Sequence, residues 1–271
     1  MNNTAEQQQA PVVLEALHNR VLTVTLNRPE AKNAINLDVV PLLNQILQRA
    51  EHNPEVGAIV LTGAGNTFSV GGDVKSMAAK TEFSEEELLG ALHRSSATVL
   101  KLHRMNKPTI AFIRGPAAGG GLALALGCDL RYGDETARLT YAYTKIALPG
   151  DFAANWLLEK LLGTAQAREF CFFSPVVGAA EAKQLGLLNR VFPAVDAQAQ
   201  VQALAEQLAN GPTATLAEIK ANLNAAAELP AEQAVAREAE SFVRCRLLSD
   251  HREASIAFVE KRAPRFNQGG N

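Results

Sequence analysis

The stretch IAFIRGPAAGGGLALALGCD, residues 110–129, narrows the choice of fold more than any other part of the chain. The apolar run at 109–113 has the length and composition of a buried strand. Gly115 and Pro116 punctuate a turn. Gly119, Gly120 and Gly121 then lead into Leu122-Ala123-Leu124-Ala125-Leu126, a run of strong helix formers. The order is strand, glycine turn, helix. Glycines at such a place let a second backbone or a ligand come close. The first amides of the helix have no partner within it and point outward at the positive end of its dipole. That geometry suits an oxyanion, but it also suits plain close packing, and the residues alone leave both readings open. The spacing matches neither G-x-G-x-x-G nor a phosphate loop ending in Gly-Lys-Ser/Thr, which argues against nucleotide phosphate binding of those kinds.

With 271 residues, 47% of them hydrophobic, the chain can bury a full core as one large domain or one domain with an appendage. A net charge of -2 argues against a nucleic-acid or anionic-membrane surface as the main function. Cys128, Cys171 and Cys245 are far apart and odd in number, which points away from a disulfide frame or a zinc site and toward a reducing compartment. No histidine falls at metal-binding spacing, so no metal is expected. Residues 1–10 are polar, without the cationic start and apolar core of a signal peptide, and are expected to be a disordered tail. No apolar run reaches membrane-spanning length. The expected location is cytoplasmic.

Along the chain, 12–17 and 21–26 read as strands around a turn, the second alternating with period two. Asn36 is placed to cap a helix over 37–51, and 56–62 reads as another buried strand. The segment Phe68-Ser69-Val70-Gly71-Gly72-Asp73 follows, with Asp73 near the amino end of a short helix over 73–79. A charged loop at 80–87 precedes a helix over 88–104. Strand and turn are expected at 130–139 and an irregular apolar segment at 141–148. Helices follow over 152–162, 165–173 and 179–185, then a short strand at 188–192. Four more helices cover 197–210, 214–227, 231–248 and 249–262. Strands alternate with helices first and helices alone come afterward, which implies an α/β core with a helical C-terminal part.

Two glycine segments in one chain, F-S-V-G-G-D at 68–73 and G-P-A-A-G-G-G-L-A-L-A-L-G-C-D at 115–129, resemble those of the crotonase superfamily, the enoyl-CoA hydratase/isomerase group. The resemblance extends over nearly the whole chain. It takes in Leu26-Asn27-Arg28-Pro29 with Asn33-Ala34, Ile59 to Gly63, Ala182 and Leu185-Gly186-Leu187 with Val191, and Phe258 to Arg262. It implies a spiral of ββα turns over residues 11–195 and a helical region over 196–271 that mediates trimers, often paired into hexamers. It also implies an acyl-CoA thioester as substrate, with the coenzyme part of the substrate and no separate cofactor. A thioester enolate would sit between two backbone amides, which carry over to Gly72 and Gly120. An enolate oxygen needs donors already in place, and glycine turns supply them without side-chain obstruction.

The resemblance also locates what is missing. Hydratases of the family carry one glutamate where this chain has Ala123 and a second where it has Tyr143, so ordinary hydration lacks both its carboxylates. Asp151 falls where several isomerase-type members have an aspartate, although these read Pro-Asp and this chain reads Pro149-Gly150-Asp151. The 4-chlorobenzoyl-CoA dehalogenase branch has a nucleophilic aspartate there too, with a tryptophan at the Tyr143 place and a histidine where this chain has Leu100. Without the resemblance, Asp151 reads as a cap for the helix over 152–162. Arg28, Lys32 and Lys261 are expected at the phosphates or adenine of CoA, since cations suit phosphate. Val70, Gly71, Asp73, Val74 and Tyr143 are expected to line the substrate site. Tyr141 and Tyr143 read either as proton donors or as walls of the acyl pocket, with wall the reading preferred. His93 and His103 read as surface or satisfied histidines. The expected reaction is double-bond isomerisation with Asp151 as acid and base. Hydration, aryl-CoA dehalogenation and a non-catalytic CoA-binding scaffold are the alternatives.

Overall fold

Aliphatic and β-branched runs form the sheet that carries the molecule. In the computed structural model, which describes residues 10–79 and 84–268, the strands are β1 (Val13–His18), β2 (Val21–Leu26), β3 (Ala58–Gly63), β4 (Thr109–Ile113), β5 (Pro116–Ala118), β6 (Leu130–Asp134), β7 (Arg138–Thr140), β8 (Val177–Gly178) and β9 (Arg190–Phe192). The helices are α1 (Val39–His52), α2 (Val74–Ala79), α3 (Glu85–Arg104), α4 (Gly120–Gly127), α5 (Ala154–Leu162), α6 (Thr164–Phe173), α7 (Ala179–Gln184), α8 (Ala197–Ala209), α9 (Thr213–Ala226), α10 (Ala231–Arg246) and α11 (Ser249–Glu260). One sheet has six strands in the order β1-β2-β3-β4-β6-β9, and a smaller one has three in the order β5-β7-β8. The hairpin of β1 and β2 is antiparallel, and every other pair in the larger sheet is parallel.

Period-two alternation sends each strand's residues to two cores. Ile59, Leu61, Ala111 and Ile113 face the larger core with α1, α3, α4 and α5. Ala58, Val60, Ile110 and Phe112 face the other way, against Ala197, Val201, Ala205 and Ala209 of α8. Buried on both faces, β3 and β4 are accordingly apolar along their whole length, as parallel strands between helical layers are. The first helix of the expected C-terminal region thus covers one face of the sheet, while α9 to α11 lie beyond it. The expected 1–10 tail lies outside the described residues except for its last residue.

Boundaries move where a cap decides them. The helix expected to open at residue 88 opens at Glu85, because Ser84 and Glu87 form a reciprocal capping box. Asn36 does receive the amides of Asp38 and Val39, yet the first helical residue is Val39. The turn read at 115–116 continues as strand β5, which pairs with β7 in the second sheet. Of the charged loop read at 80–87, residues 80–83 lie outside the described residues, and 85–87 are not loop but the first turn of α3, capped by Ser84. No helix among the described residues is long and apolar enough to cross a membrane.

Asp129, the last residue of the opening stretch, ties the helical region to this core. Its Oδ2 accepts from the Thr109 amide at 2.8 Å and from Lys220 Nζ, on α9, at 2.9 Å. Lys220 also donates to the carbonyl oxygens of Leu102 and Lys107. A buried ammonium with this many oxygen partners is compensated.

Candidate active site

Residues 68–73 run between two neighbours that hold them by main-chain bonds. On one side the amides of Phe68 and Ser69 both reach Pro116 O, and Ala118 N donates to Ser69 O at 2.9 Å. On the other, Ile35 N donates to Gly71 O at 2.7 Å and Asp73 N to Ile35 O at 3.1 Å. Ser69, with no exposed surface, donates from Oγ to Asn33 O and accepts from Gly71 N. Gly71 has φ +84°, and a β-carbon on it would lie 2.6 Å from Ala118 O and 3.0 Å from Gly120 N. Only glycine permits that turn and that contact. The two glycine segments therefore meet at Gly71.

Gly120 opens α4, a helix whose every residue is buried. Gly72 follows the contact point on the other segment. Among the described residues neither the Gly72 amide nor the Gly120 amide has a hydrogen-bond partner. A helix apolar on all sides belongs in the core, and its first amides project from there with the positive end of the dipole. A side chain on Gly72 would strike Met77 Cε at 2.6 Å.

Asp73 is held beside this turn. Both Nη atoms of Arg28 lie 3.2 Å from Asp73 Oδ2, and Arg28 also donates to Ala34 O at 2.7 Å. Asp73 Oδ1 accepts from Ser76 N in the first turn of α2, and this bond, followed by those of Arg28, lowers the Asp73 pKa against the opposing effect of burial. Arg28 thus serves the turn that bears Gly72, with its guanidinium engaged by protein oxygens. Lys32 and Lys261 are exposed at left-handed backbone positions, without an ion-pair partner among the described residues. Val74 is exposed on α2, and Val70 is half-buried.

A second group of side chains comes from the 3-10 helix Tyr143–Ile146 and the turn after it. Tyr143 Oη donates to Asp151 Oδ1 at 2.5 Å. Tyr143 is 6% exposed, and burial, reinforced by the adjacent carboxylate, keeps its hydroxyl protonated well above the usual tyrosine range. Burial raises the Asp151 pKa, while the Tyr143 hydrogen bond pulls it the other way. The alternative of a helix cap does not hold. Helix α5 starts at Ala154 with Ala153 as its cap residue and no side-chain capping bond. The turn is strained: Gly150, Phe152 and Ala153 all have positive φ. For the two non-glycine residues that costs on the order of 1 kcal/mol or more each.

The glycine side and the aspartate side touch. Phe152, next to Asp151, packs its ring edge 3.4 Å from where a Gly120 β-carbon would stand, with Ile35 Cδ1 equally near. The Tyr143 ring lies 3.9 Å from the same point on Gly119. Ala123 and Tyr143, which the resemblance sets at the two hydratase glutamate places, are both buried, Ala123 with no exposed surface. His93 is exposed and His103 stacks edge-on against Trp156 with ring centroids 5.2 Å apart, so neither joins the cluster. Among the described residues no group of three or more His, Cys, Asp or Glu side chains could hold a metal. Sequence reasoning treated Tyr141 only as a wall or donor and passed over Asn155, although the structure binds both to this turn. The signal available was Gly150, an extra residue in the turn.

The chain is similar to known proteins over most of its length. The enoyl-CoA hydratase/isomerase family model matches residues 16–269. A Thermus thermophilus protein provisionally named enoyl-CoA hydratase is 37% identical over 250 residues, covering 91% of this chain and 97% of its own. The 4-chlorobenzoyl coenzyme A dehalogenase-2 of an Arthrobacter species is 37% identical over 195 residues, 71% of this chain and 70% of its own. The crystal structure of an enoyl-CoA hydratase from Polaromonas sp. JS666 superposes with a TM-score of 0.90 at 30% identity, covering 94% of this chain and 99% of that one. The chain belongs to the enoyl-CoA hydratase/isomerase family, within the crotonase superfamily. Its fold is the family's, and the family acts on CoA thioesters.

Proposed function

We propose that the protein moves a double bond in an enoyl-CoA thioester, with Asp151 carrying the proton. The thioester oxygen lies between the amides of Gly72 and Gly120, which stabilise the enolate as charge develops. Asp151 removes a proton from the acyl chain and returns it at another carbon, and its carboxyl keeps the proton in the interval. The observation that carries this reading is the contact between the two sides: Phe152 packs on Gly120, Tyr143 lies over Gly119, and Asp151 stands between them in the chain and is held by Tyr143. A carboxyl with a raised pKa suits proton transfer in both directions near neutral pH. Ala123 and Tyr143 leave out the two carboxylates that hydration uses to hold water.

Attack of Asp151 on an aryl-CoA is the second reading, favoured by the dehalogenase relative and by the presence of an aspartate at that place. A panel of CoA esters assayed by mass spectrometry separates the readings. Conversion of 3-enoyl-CoA to 2-enoyl-CoA supports the first, and chloride release from 4-chlorobenzoyl-CoA supports the second. Efficient hydration of 2-enoyl-CoA, or no turnover of any member, overturns both. Lys32 and Lys261 remain the proposed CoA contacts. No cofactor is invoked, because the coenzyme arrives with the acyl group. The exposed Phe242, Phe258 and Val259 on the last two helices, with Leu247 between those helices, support self-association as a trimer or hexamer, and sedimentation showing a stable monomer at micromolar concentration would contradict it.

A further inference from the structure

Three residues at positive φ within residues 150–153 need something to hold them, and the structure provides it away from the reacting atoms. Tyr141 is 2% exposed, and its Oη lies 2.6 Å from Pro149 O and 2.6 Å from Asn155 Oδ1. The hydroxyl has one proton and serves one of these acceptors at a time. Asn155 Nδ2 donates to Pro149 O at 2.9 Å, so that carbonyl keeps a donor either way. Asn155 belongs to α5, so the triangle fastens the strained turn to the helix that follows it. Gly150 has φ +99°, and a β-carbon there would lie 2.1 Å from Tyr141 Oη and 2.9 Å from Asn155 Oδ1. The glycine is what lets the hydroxyl cross the backbone. Tyr141 also supports Tyr143 directly, with ring centroids 4.8 Å apart. The contacts close a circuit: Tyr141 to Tyr143, Tyr143 to Asp151, and Asp151 through the chain to Pro149 and back to Tyr141.

From this circuit we infer that Tyr141 and Asn155 are positioning residues for Asp151, acting through the Pro149 carbonyl and made possible by Gly150. The inference rests on the reading of Asp151 as the proton carrier. It adds that the carboxylate's placement is set by two side chains that do not face the reacting carbon. The titratable groups around the turn are Tyr143, Tyr141 and, behind Tyr141, Cys171. Burial pushes the Tyr141 hydroxyl up to about 12, so it stays a donor over the working range.

The test uses Tyr141→Phe and Asn155→Ala in the full chain, beside Asp151→Asn. Two readouts need no substrate: hydrogen exchange in the peptide spanning 149–155, and the Asp151 carboxyl titration followed by carbon NMR. Both variants should exchange faster there, and the carboxyl should titrate lower as the loosened turn admits water. With 3-enoyl-CoA, kcat should fall roughly tenfold, a share of the usual worth of a positioned acid or base, while KM stays within about twofold. If Tyr141→Phe does not fold, Asn155→Ala, whose site is exposed, still decides the matter. Unchanged exchange and titration in Asn155→Ala, or equal losses in kcat and KM without a titration shift, overturn the inference. Full activity of Asp151→Asn overturns the reading of Asp151 instead, and the exchange data then stand as a statement about the turn alone.

Discussion

The two sides of the site are built from different materials. The Gly72 and Gly120 side presents main chain: amides, carbonyls and glycines clasped between residues 32–35, 68–73 and 116–118, braced from behind by the Ser69 hydroxyl and the Arg28–Asp73 pair, with a fully buried helix at Gly120. The Asp151 side is side chain on a strained turn, kept in place by hydroxyls and one amide group. Main-chain donors cannot be swapped by substitution and serve any thioester enolate. A carboxylate can be replaced, moved or joined by another, and each change alters which proton moves. On the proposed function, the first side fixes the intermediate and the second selects the reaction.

The largest expected effect comes from the side-chain half. Asp151→Asn should bind CoA thioesters as the parent does and lose about two to four decades of kcat in isomerisation; a variant that turns over 3-enoyl-CoA at the parental rate collapses the distinction. Gly120→Pro attacks the other half by removing the donor, at a first helical position where proline is otherwise tolerated. It should lose roughly two to three decades with every active substrate alike, and a loss confined to one substrate would show that the main-chain side is not general. Gly71→Ala should separate the two glycine segments, since the added carbon meets Ala118 O at 2.6 Å. Thermal melts should record a destabilisation of about 1–3 kcal/mol, with activity falling at least about tenfold.

Tyr143→Phe sharpens the comparison by its sign. Its hydroxyl bond holds the Asp151 pKa down against burial, so its loss should move the acid limb of the kcat profile to higher pH. Loosening the turn at Tyr141 should move it the opposite way. The smallest effect is on stability. Burial raises the folded Asp151 carboxyl above its unfolded value, so the folded chain holds the extra proton between the two and loses stability as pH climbs through that window. Asparagine cannot ionise, and Asp151→Asn should melt about 1–3 °C above the parent at neutral pH; a lower melting point would mean the carboxylate is stabilised where it lies.

This division also explains what was legible in the sequence. The strand, glycine turn and helix at 109–127 and the second glycine segment at 68–73 could be read directly, because main-chain geometry is written in glycine, proline and apolar runs. Ser69 and Asn33 could not, since nothing local marks a buried polar residue whose partners lie dozens of residues away. Arg28 was read as a phosphate ligand, and its partner Asp73 separately as a substrate contact; their pairing depends on a tertiary contact that pattern cannot supply. The capping reading of Asp151 failed for a related reason. A helix start was expected at Phe152, but left-handed backbone at Phe152 and Ala153 delays it and frees the carboxylate for Tyr143.

Ala123 has no exposed surface and lies within a helix that is buried from end to end. A single glutamate there would enter an apolar interior as an uncompensated carboxylate, which selection would first register as a loss of stability rather than a gain of chemistry. A second glutamate at 143 would remove the donor that holds Asp151. If those are the two glutamate places, as the resemblance implies, a hydratase pair is two coupled substitutions away, each costly when made alone.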